Sequence, residues 1–202
     1  MAEATKSTGL RERKKLERRT RLADVAVELF ERNGFEKTTI EQIAAAADLA
    51  PRTFFSYFAT KDDLVLADYT DRLRRILEEL DRRPAAEPAW EALRSSFATV
   101  ADDYEAEESR IRRRFTIMAT SPSVAARSLQ LQAGWEQALA DALTRRLEAD
   151  PGDPMPRLLA ATALAVMRAS LQHWLLNIED GPLPDLVQRS FDQLGVGLSR
   201  MR

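Results

Sequence analysis

The chain has 202 residues, a formal net charge of −2, no cysteine and one histidine. Without cysteine there is no disulfide and no thiolate metal site, and one histidine offers little for zinc or haem, so we expect no metal and no cofactor. No apolar run reaches the ~20 residues needed to cross a bilayer, and the first residues are charged. These features favour a cytoplasmic protein without a membrane partner.

Basic residues are concentrated at the start of the chain. Residues 1–21 hold eight Lys or Arg against three acids, a charge of +5, which leaves −7 for residues 22–202. A basic arm of this kind suits DNA phosphates, although a charged tail can also serve only to keep a protein in solution. Residues 1–10 are small and polar without a hydrophobic period, so we expect them to be disordered.

The first predicted helix runs from about Arg13 to Arg32. Its inward positions recur every three or four residues, at Leu16, Thr20, Ala23, Val27 and Phe30. Gly34 then ends the helix, because glycine adopts the left-handed backbone of a C-terminal cap without steric cost. We expect this helix to be a scaffold for the segment that follows it.

Residues 38–58 predict two short helices joined by a tight turn, the arrangement of a DNA-reading helix-turn-helix. Thr38 and Glu41 have the spacing of a capping box that starts the first helix. Pro51 suits the first turn of the second helix, where its missing N–H costs nothing. The side chains predicted to contact bases and phosphates are Thr39, Pro51, Arg52, Thr53, Phe55, Ser56, Tyr57 and Lys61. Phe55 cannot donate to a phosphate, so it either touches a thymine methyl or packs.

Helices account for the rest of the chain as well. Lys61 stands at the start of a long helix to about Arg82, where it either meets a phosphate or is an ordinary solvated lysine. Two prolines close together make residues 82–88 a linker. Further helices are predicted at Ala89–Ala106, Ser109–Ala119, Pro122–Ala149, Pro156–Ile178 and Leu183–Met201. The prediction is an all-α fold of about nine helices, with a DNA-binding domain at 1–60 and a larger helical domain at 61–202.

The last two predicted helices are unusually apolar. Over residues 158–178 the single Lys, Arg, Asp or Glu before Glu179 is Arg168. A helix that is apolar on nearly all sides has to be covered, either by its own domain or by a partner chain. Two such helices from each of two chains would form a four-helix homodimer interface. The residues predicted at this interface are Leu175, Leu183, Val187, Phe191, Leu194 and Leu198.

The sequence offers little for catalysis. It has no cysteine, no glycine-rich phosphate loop and no G-x-S-x-G elbow, and His173 is its one near-neutral base. We therefore expect no enzyme and assign no catalytic residue. His173 stands beside Trp174 on an apolar helix, where a core or interface histidine is the ordinary interpretation and a ligand contact the alternative.

A Thr38-Thr39 helix start, the run T-F-F-S-Y-F at 53–58 and the opening of the next helix at Thr60-Lys61-Asp62 follow one another in this sequence. In these features residues 14–66 resemble the tetracycline-repressor (TetR) family of bacterial regulators. The stretch from Pro51 to Tyr57 and the C-terminal half further resemble the mycofactocin-regulator-like subgroup, which includes regulators that sense acyl-CoA thioesters.

Three residues depart from the family pattern. Asp48 stands in place of the usual turn glycine, Ala50 in place of a serine cap and Phe55 in place of tyrosine. Asp tolerates a left-handed turn, so the motif can keep its shape. The lost serine cap costs ~1 kcal/mol, which Pro51 offsets in part.

The resemblance implies a ligand cavity among the helices of the second domain. Plain core is the default interpretation of the large apolar residues on these helices, and a fraction of them would line the cavity. The candidates are Phe97, Tyr104, Phe115, Met118, Leu131, Trp135, Met167, Leu171, His173 and Trp174. An arginine cluster is either a solvated face or a site for an anionic ligand, and comprises Arg110, Arg112, Arg113 and Arg114.

The resemblance also implies a mechanism. A homodimeric repressor would place two heads in successive major grooves of a near-palindromic DNA operator, about 34 to 36 Å apart. A small, largely apolar effector would stabilise a conformation in which the heads no longer match that spacing, and the operator would be released. The alternative is a helical interaction or scaffold protein that retains the head without ligand control.

Overall fold

The structure is a computed structural model that describes residues 2–177 and 181–199, with side chains described for 13–177 and 181–196. Its ten helices within these ranges are α1 Ala2–Asn33, α2 Ile40–Ala46, α3 Pro51–Phe54, α4 Asp62–Val65, α5 Tyr69–Arg82, α6 Ala89–Ala106, α7 Glu108–Thr120, α8 Pro122–Leu147, α9 Met155–Leu176 and α10 Leu183–Ser199. The described part of the chain has no strand, so the predicted all-α fold is confirmed. None of the helices described is long and apolar enough to cross a membrane.

The chain folds into two compact units. The first, which we call the head, contains Met1–Ala67 together with Arg113–Ser128, and the second, the body, contains Asp68–Arg112 and Leu129–Arg202. In the head α1 packs on α2 and α4, and α2 packs on α3; in the body α6 contacts α5, α9 and α10. The predicted boundary at residue 60 thus lies inside the first unit, to which the end of α7 and the start of α8 also belong.

Helix α1 begins at Ala2, so the expectation of disorder over residues 1–10 is wrong for residues 2–10. A hydrophobic period indicates that a helix packs against a core. A polar segment without that period can still be helical when it continues directly into helical turns that do pack against a core. The predicted end is confirmed. Gly34 adopts a φ of 86°, and its N–H donates to the carbonyl of Phe30 at 2.9 Å.

The long helix predicted from Lys61 to Arg82 is two helices, α4 and α5. Four consecutive residues at the break are buried, namely Leu64, Val65, Leu66 and Ala67. Four successive positions on one helix point to every side, because the α-helix has 3.6 residues per turn. One continuous helix lying against one core could not bury all four side chains, and this accounts for the end of α4 at Val65.

Candidate nucleic-acid interface and effector region

Helices α2 and α3 form the helix-turn-helix that the sequence predicts. Asp48 turns the chain between them with a φ of 57°, the left-handed conformation expected at this position. The turn is closed by the N–H of Leu49, which donates to the carbonyl of Ala44 at 2.8 Å. Ala50 provides no side-chain cap, and Pro51 occupies the start of α3.

The capping box lies one residue later than predicted, with Thr39 as its first member. The Thr39 hydroxyl accepts from the N–H of Gln42, whose side-chain oxygen accepts from the N–H of Thr39 at 2.9 Å. Glu41 is therefore not the partner; its own backbone N–H and Thr39 hydrogen-bond its carboxylate and lower its pKa. Thr38 is buried, and its hydroxyl donates to the carbonyl of Gly34 at 2.9 Å.

The predicted reading face is at the surface of the head. The side chains of Pro51, Arg52, Phe55 and Ser56 are exposed, whereas Thr53 and Tyr57 are half-buried. The aromatic residues divide sharply, since Phe54 and Phe58 lie in the core while Phe55 is 59% exposed. Of the two roles foreseen for Phe55, packing within the chain is therefore the less suited to its position.

Lys61 is held by the chain itself. Its Nζ donates to the carbonyl of Phe35 at 2.7 Å and to that of Thr38 at 3.2 Å. The same ammonium lies 4.2 Å from the centroid of the Phe35 ring. A second capping box lies beside it, in which the N–H of Thr60 donates to the Asp63 carboxylate at 3.1 Å and the N–H of Asp63 donates to the Thr60 hydroxyl at 3.3 Å.

Two ion pairs tie the segment 113–128 into the head. Arg113 forms a bidentate pair with Glu31, at 2.8 and 2.7 Å, and Arg127 donates to Asp63 at 2.8 Å. The pKa of Arg113 is raised, chiefly by the hydrogen bonds that it donates to Glu31. These contacts involve α1 and α4, which pack on each other in the head.

The four arginines of the predicted cluster all have carboxylate partners within the chain. These partners are Glu107 for Arg110, Glu108 for Arg112, Glu31 for Arg113 and Asp24 for Arg114. Arg112 also donates to the carbonyl of Trp174 at the end of α9. The arrangement favours a structural role for the cluster over an anion site.

Most of the predicted cavity residues lie in the body, but Phe115 and Met118 belong to the head. Tyr104, Trp135, Met167 and Trp174 are buried in the body, and Leu131 and Leu171 are half-buried. Phe97 packs against Phe191 with ring centroids 5.8 Å apart. His173 is exposed near the end of α9, with its Nδ1 3.4 Å from the side-chain nitrogen of Asn177, so its interpretation as a core histidine is wrong.

A buried arginine that sequence reasoning missed lies beside these aromatic residues. The guanidinium of Arg72 is 3.7 Å from the ring centroid of Tyr104, and its Nη2 pairs with Glu107 at 3.3 Å. Nη1 is buried and has no hydrogen-bond acceptor among the described residues. Tyr69 stacks on Trp135 at 5.4 Å, and burial raises its pKa. The one signal in the sequence that could have identified Arg72 is that a charged residue occupies a core position of α5.

A separate groove of about 390 Å³ runs between α6 and α10. It is lined by Arg94, Ser95, Ala98, Thr99, Asp102, Pro184, Asp185 and Gln188, none of which was predicted for the cavity. Polar and charged side chains dominate this lining, and Arg94 pairs with Asp192 at 2.9 Å. The groove therefore suits a largely apolar ligand poorly.

The predicted dimer residues of α10 are in the core of one chain. Leu183, Val187 and Phe191 are fully buried, and the Phe191 ring packs 4.8 Å from that of Trp90. The assignment of these three to a subunit interface is corrected, because they are fully buried on a helix that packs against α6 and α9 of the same chain. Leu175 is also buried, Leu194 is 44% exposed, and the side chain of Leu198 lies outside the described residues.

Comparison with known proteins identifies both parts of the chain. Residues 22–67 match the bacterial regulatory proteins of the tetR family, and residues 87–199 match the MftR C-terminal domain. The protein named mycofactocin biosynthesis transcriptional regulator MftR, from Mycobacterium tuberculosis, is 32% identical over 89% of this chain and 90% of its own length. The HTH-type transcriptional regulator TcmR of Streptomyces glaucescens is 32% identical over 87% and 83%.

Solved structures share the fold. Thermus thermophilus FadR, a TetR-family repressor solved with lauroyl-CoA, matches with a TM-score of 0.57 and 23% identity over 87% of this chain and 92% of that one. NalD of Pseudomonas aeruginosa, a repressor of a multidrug efflux pump, matches with a TM-score of 0.64 and 18% identity over 91% and 97%.

Proposed function

We propose that this chain, which belongs to the TetR family of DNA-binding transcriptional regulators, is a homodimeric repressor that releases its operator when a small, largely apolar effector binds. The observation that carries the proposal is the reading face. Arg52, Phe55 and Ser56 are exposed on a helix-turn-helix whose Phe54 and Phe58 are locked in the core. A fixed backbone that presents polar and aromatic side chains together suits readout of base edges in the major groove.

The proposed dimer uses the outward face of α9. Residues spaced alternately three and four apart on this face are exposed or half-buried, namely Met155, Leu158, Thr162, Ala165, Ala169, Gln172 and Leu176. Their spacing is that of a helix seam that packs on another helix. Leu158 and Leu176 are 56% and 76% exposed within one chain, and a second copy would cover them.

The proposed effector site centres on Arg72. A buried N–H without an acceptor costs about 1–3 kcal/mol. An effector that supplies the acceptor for Nη1 would therefore remove this cost and bind more tightly. Glu107 and Asp68 already balance the charge of this guanidinium, at 3.3 and 3.8 Å. A neutral acceptor such as a carbonyl oxygen therefore suits Nη1 better than a second carboxylate. Tyr69, Tyr104 and Trp135 supply apolar surface for the rest of the molecule.

Lauroyl-CoA is the first probe to use, because it joins an apolar chain to a neutral thioester carbonyl. FadR of Thermus thermophilus was solved with this ligand. The affinity of the protein for its best duplex, selected from random-sequence DNA, is measured by fluorescence anisotropy with and without lauroyl-CoA. We expect the probe to weaken DNA binding, and DNA to weaken probe binding by the same factor.

Arg72→Met tests the effector contact, and Arg74→Met on the exposed side of α5 is its control. The Arg72 variant should bind lauroyl-CoA about 10-fold or more weakly, as expected for one lost hydrogen bond to a charged donor, while its DNA affinity without probe is unchanged. If neither lauroyl-CoA nor shorter acyl-CoA probes alter DNA affinity, the result would favour the alternative, a scaffold protein that keeps the helix-turn-helix without ligand control.

A further inference from the structure

Lys61 lies beside the turn that leads into the reading helices. This turn, Gly34–Thr38, is closed by the hydroxyl of Thr38, which donates to the carbonyl of Gly34 at 2.9 Å. A second bond joins the N–H of Thr38 to the carbonyl of Phe35 at 3.3 Å. Thr39, the first cap of α2, follows directly, so the shape of the turn sets where α2 begins.

The ammonium of Lys61 binds this turn at two residues, Phe35 and Thr38. It donates to the carbonyls of Phe35 and Thr38, at 2.7 and 3.2 Å, and lies over the Phe35 ring. Phe35 in turn packs on Phe30 of α1, with ring centroids 4.8 Å apart. Two of the three ammonium donors are thereby used inside the head, and each bond is charge-assisted.

We infer that Lys61 is a positioning residue for DNA recognition, which fixes the Gly34–Thr38 turn and through it the angle of α2 and α3, and that it is not a phosphate ligand. A lysine that contacts phosphate acts as a point charge, and an arginine at the same position can still bind that phosphate. Lys61 instead fills a half-buried site bounded by two carbonyls and a ring, which a planar guanidinium does not match. Lys37, in the same turn, is exposed and provides the matched control.

The test is the salt dependence of binding to the best duplex selected from random-sequence DNA, for wild type, Lys61→Met, Lys61→Arg and Lys37→Met. Each protein is measured at a temperature where circular dichroism shows it fully folded. We expect both Lys61 variants to lose about 10-fold in affinity for the selected duplex. The slope of log affinity against log salt should stay at the wild-type value, because no phosphate contact is lost.

Two results would overturn the inference. A slope reduced by about 0.9 in Lys61→Met, with affinity preserved in Lys61→Arg, would show that the ammonium neutralises a phosphate. Unchanged affinity in both folded variants, with only a lower melting temperature, would show a purely structural role. If Lys61→Met does not fold, Lys61→Arg still decides, since it keeps the charge and changes only the geometry. Lys37→Met should match wild type both in affinity for the selected duplex and in salt slope.

Discussion

The reading face of the head and the apolar stripe of α10 were predicted by the same kind of pattern, and the structure treats them differently. In the head the exposed residues Arg52, Phe55 and Ser56 are available to a partner. In the body Leu183 and Phe191, assigned to a partner chain, are fully covered by the chain itself. Hydrophobic period identifies the face of a helix that is buried, but not the molecule that buries it.

The largest effect is expected from Phe191→Glu, which tests whether this residue of α10 belongs to the core. The substitution places a charge at a fully buried position packed between Trp90 and Phe97, so we expect a loss of about 4 kcal/mol or more in the free energy of unfolding. Urea denaturation followed by circular dichroism measures it. Leu194→Glu, at a position 44% exposed on the same helix, should cost less than 1 kcal/mol. Equal stability of the two variants would contradict the core assignment of Phe191.

The proposed α9 seam is tested by Leu158→Glu, with Leu129→Glu on α8 as the control. The two leucines are similarly exposed, at 56% and 62%. A charge in the middle of an apolar subunit interface should weaken the dimer by about 2–4 kcal/mol and leave the folded chain intact. Sedimentation velocity should show Leu158→Glu as monomer and Leu129→Glu as dimer. Two dimers, or two monomers, would place the interface elsewhere.

The reading face is tested by Arg52→Ala. An arginine that bonds guanine O6 and N7 together is worth about 1–3 kcal/mol, so the variant should lose that much on the selected duplex and accept other bases at one position. Its binding to random DNA should change little. Arg32→Ala, which removes an exposed arginine paired with Glu28 on α1, should behave as wild type. An equal loss on selected and random DNA would mean that Arg52 contacts phosphate alone.

The smallest expected effect concerns the ties within the head. Glu31→Gln and Arg113→Met, alone and together, form a double-mutant cycle for an ion pair whose side chains are 40% and 38% exposed. Exposed pairs contribute about 0.2–1 kcal/mol, so the coupling energy from chemical denaturation should fall in that range. A coupling above ~2 kcal/mol would make this pair a principal support of the segment 113–128.

More of the head than of the body could be predicted from the sequence, because the head depends more on local signals. The left-handed turn at Asp48 and the end of α1 at Gly34 depend on neighbouring residues alone, and the sequence predicts both. The ion pairs of Arg113 and Arg127 with the head join residues more than sixty positions apart. Their partners could not be chosen from sequence, because many charged residues with similar spacing were available.

The same limit explains the buried arginine. Arg72 occupies the inward face of α5, but its partners Tyr104 and Glu107 come from another part of the chain. Hydrophobic spacing predicts that a charged residue lies on the exposed face of its helix, because burying an isolated charge is costly. Only the assembled body shows that aromatic and carboxylate groups offset that cost.

The most direct test of the account is selection of the full chain against random-sequence DNA, followed by sequencing of the bound duplexes. A paired regulator with one reading helix per chain should enrich a near-palindrome whose half-sites are one helical turn apart, about 34–36 Å. Leu158→Glu should lose enrichment of the paired site, and Arg52→Ala should relax one position in each half. Enrichment of a single unpaired half-site, or of no sequence at all, would contradict a homodimeric operator-binding repressor.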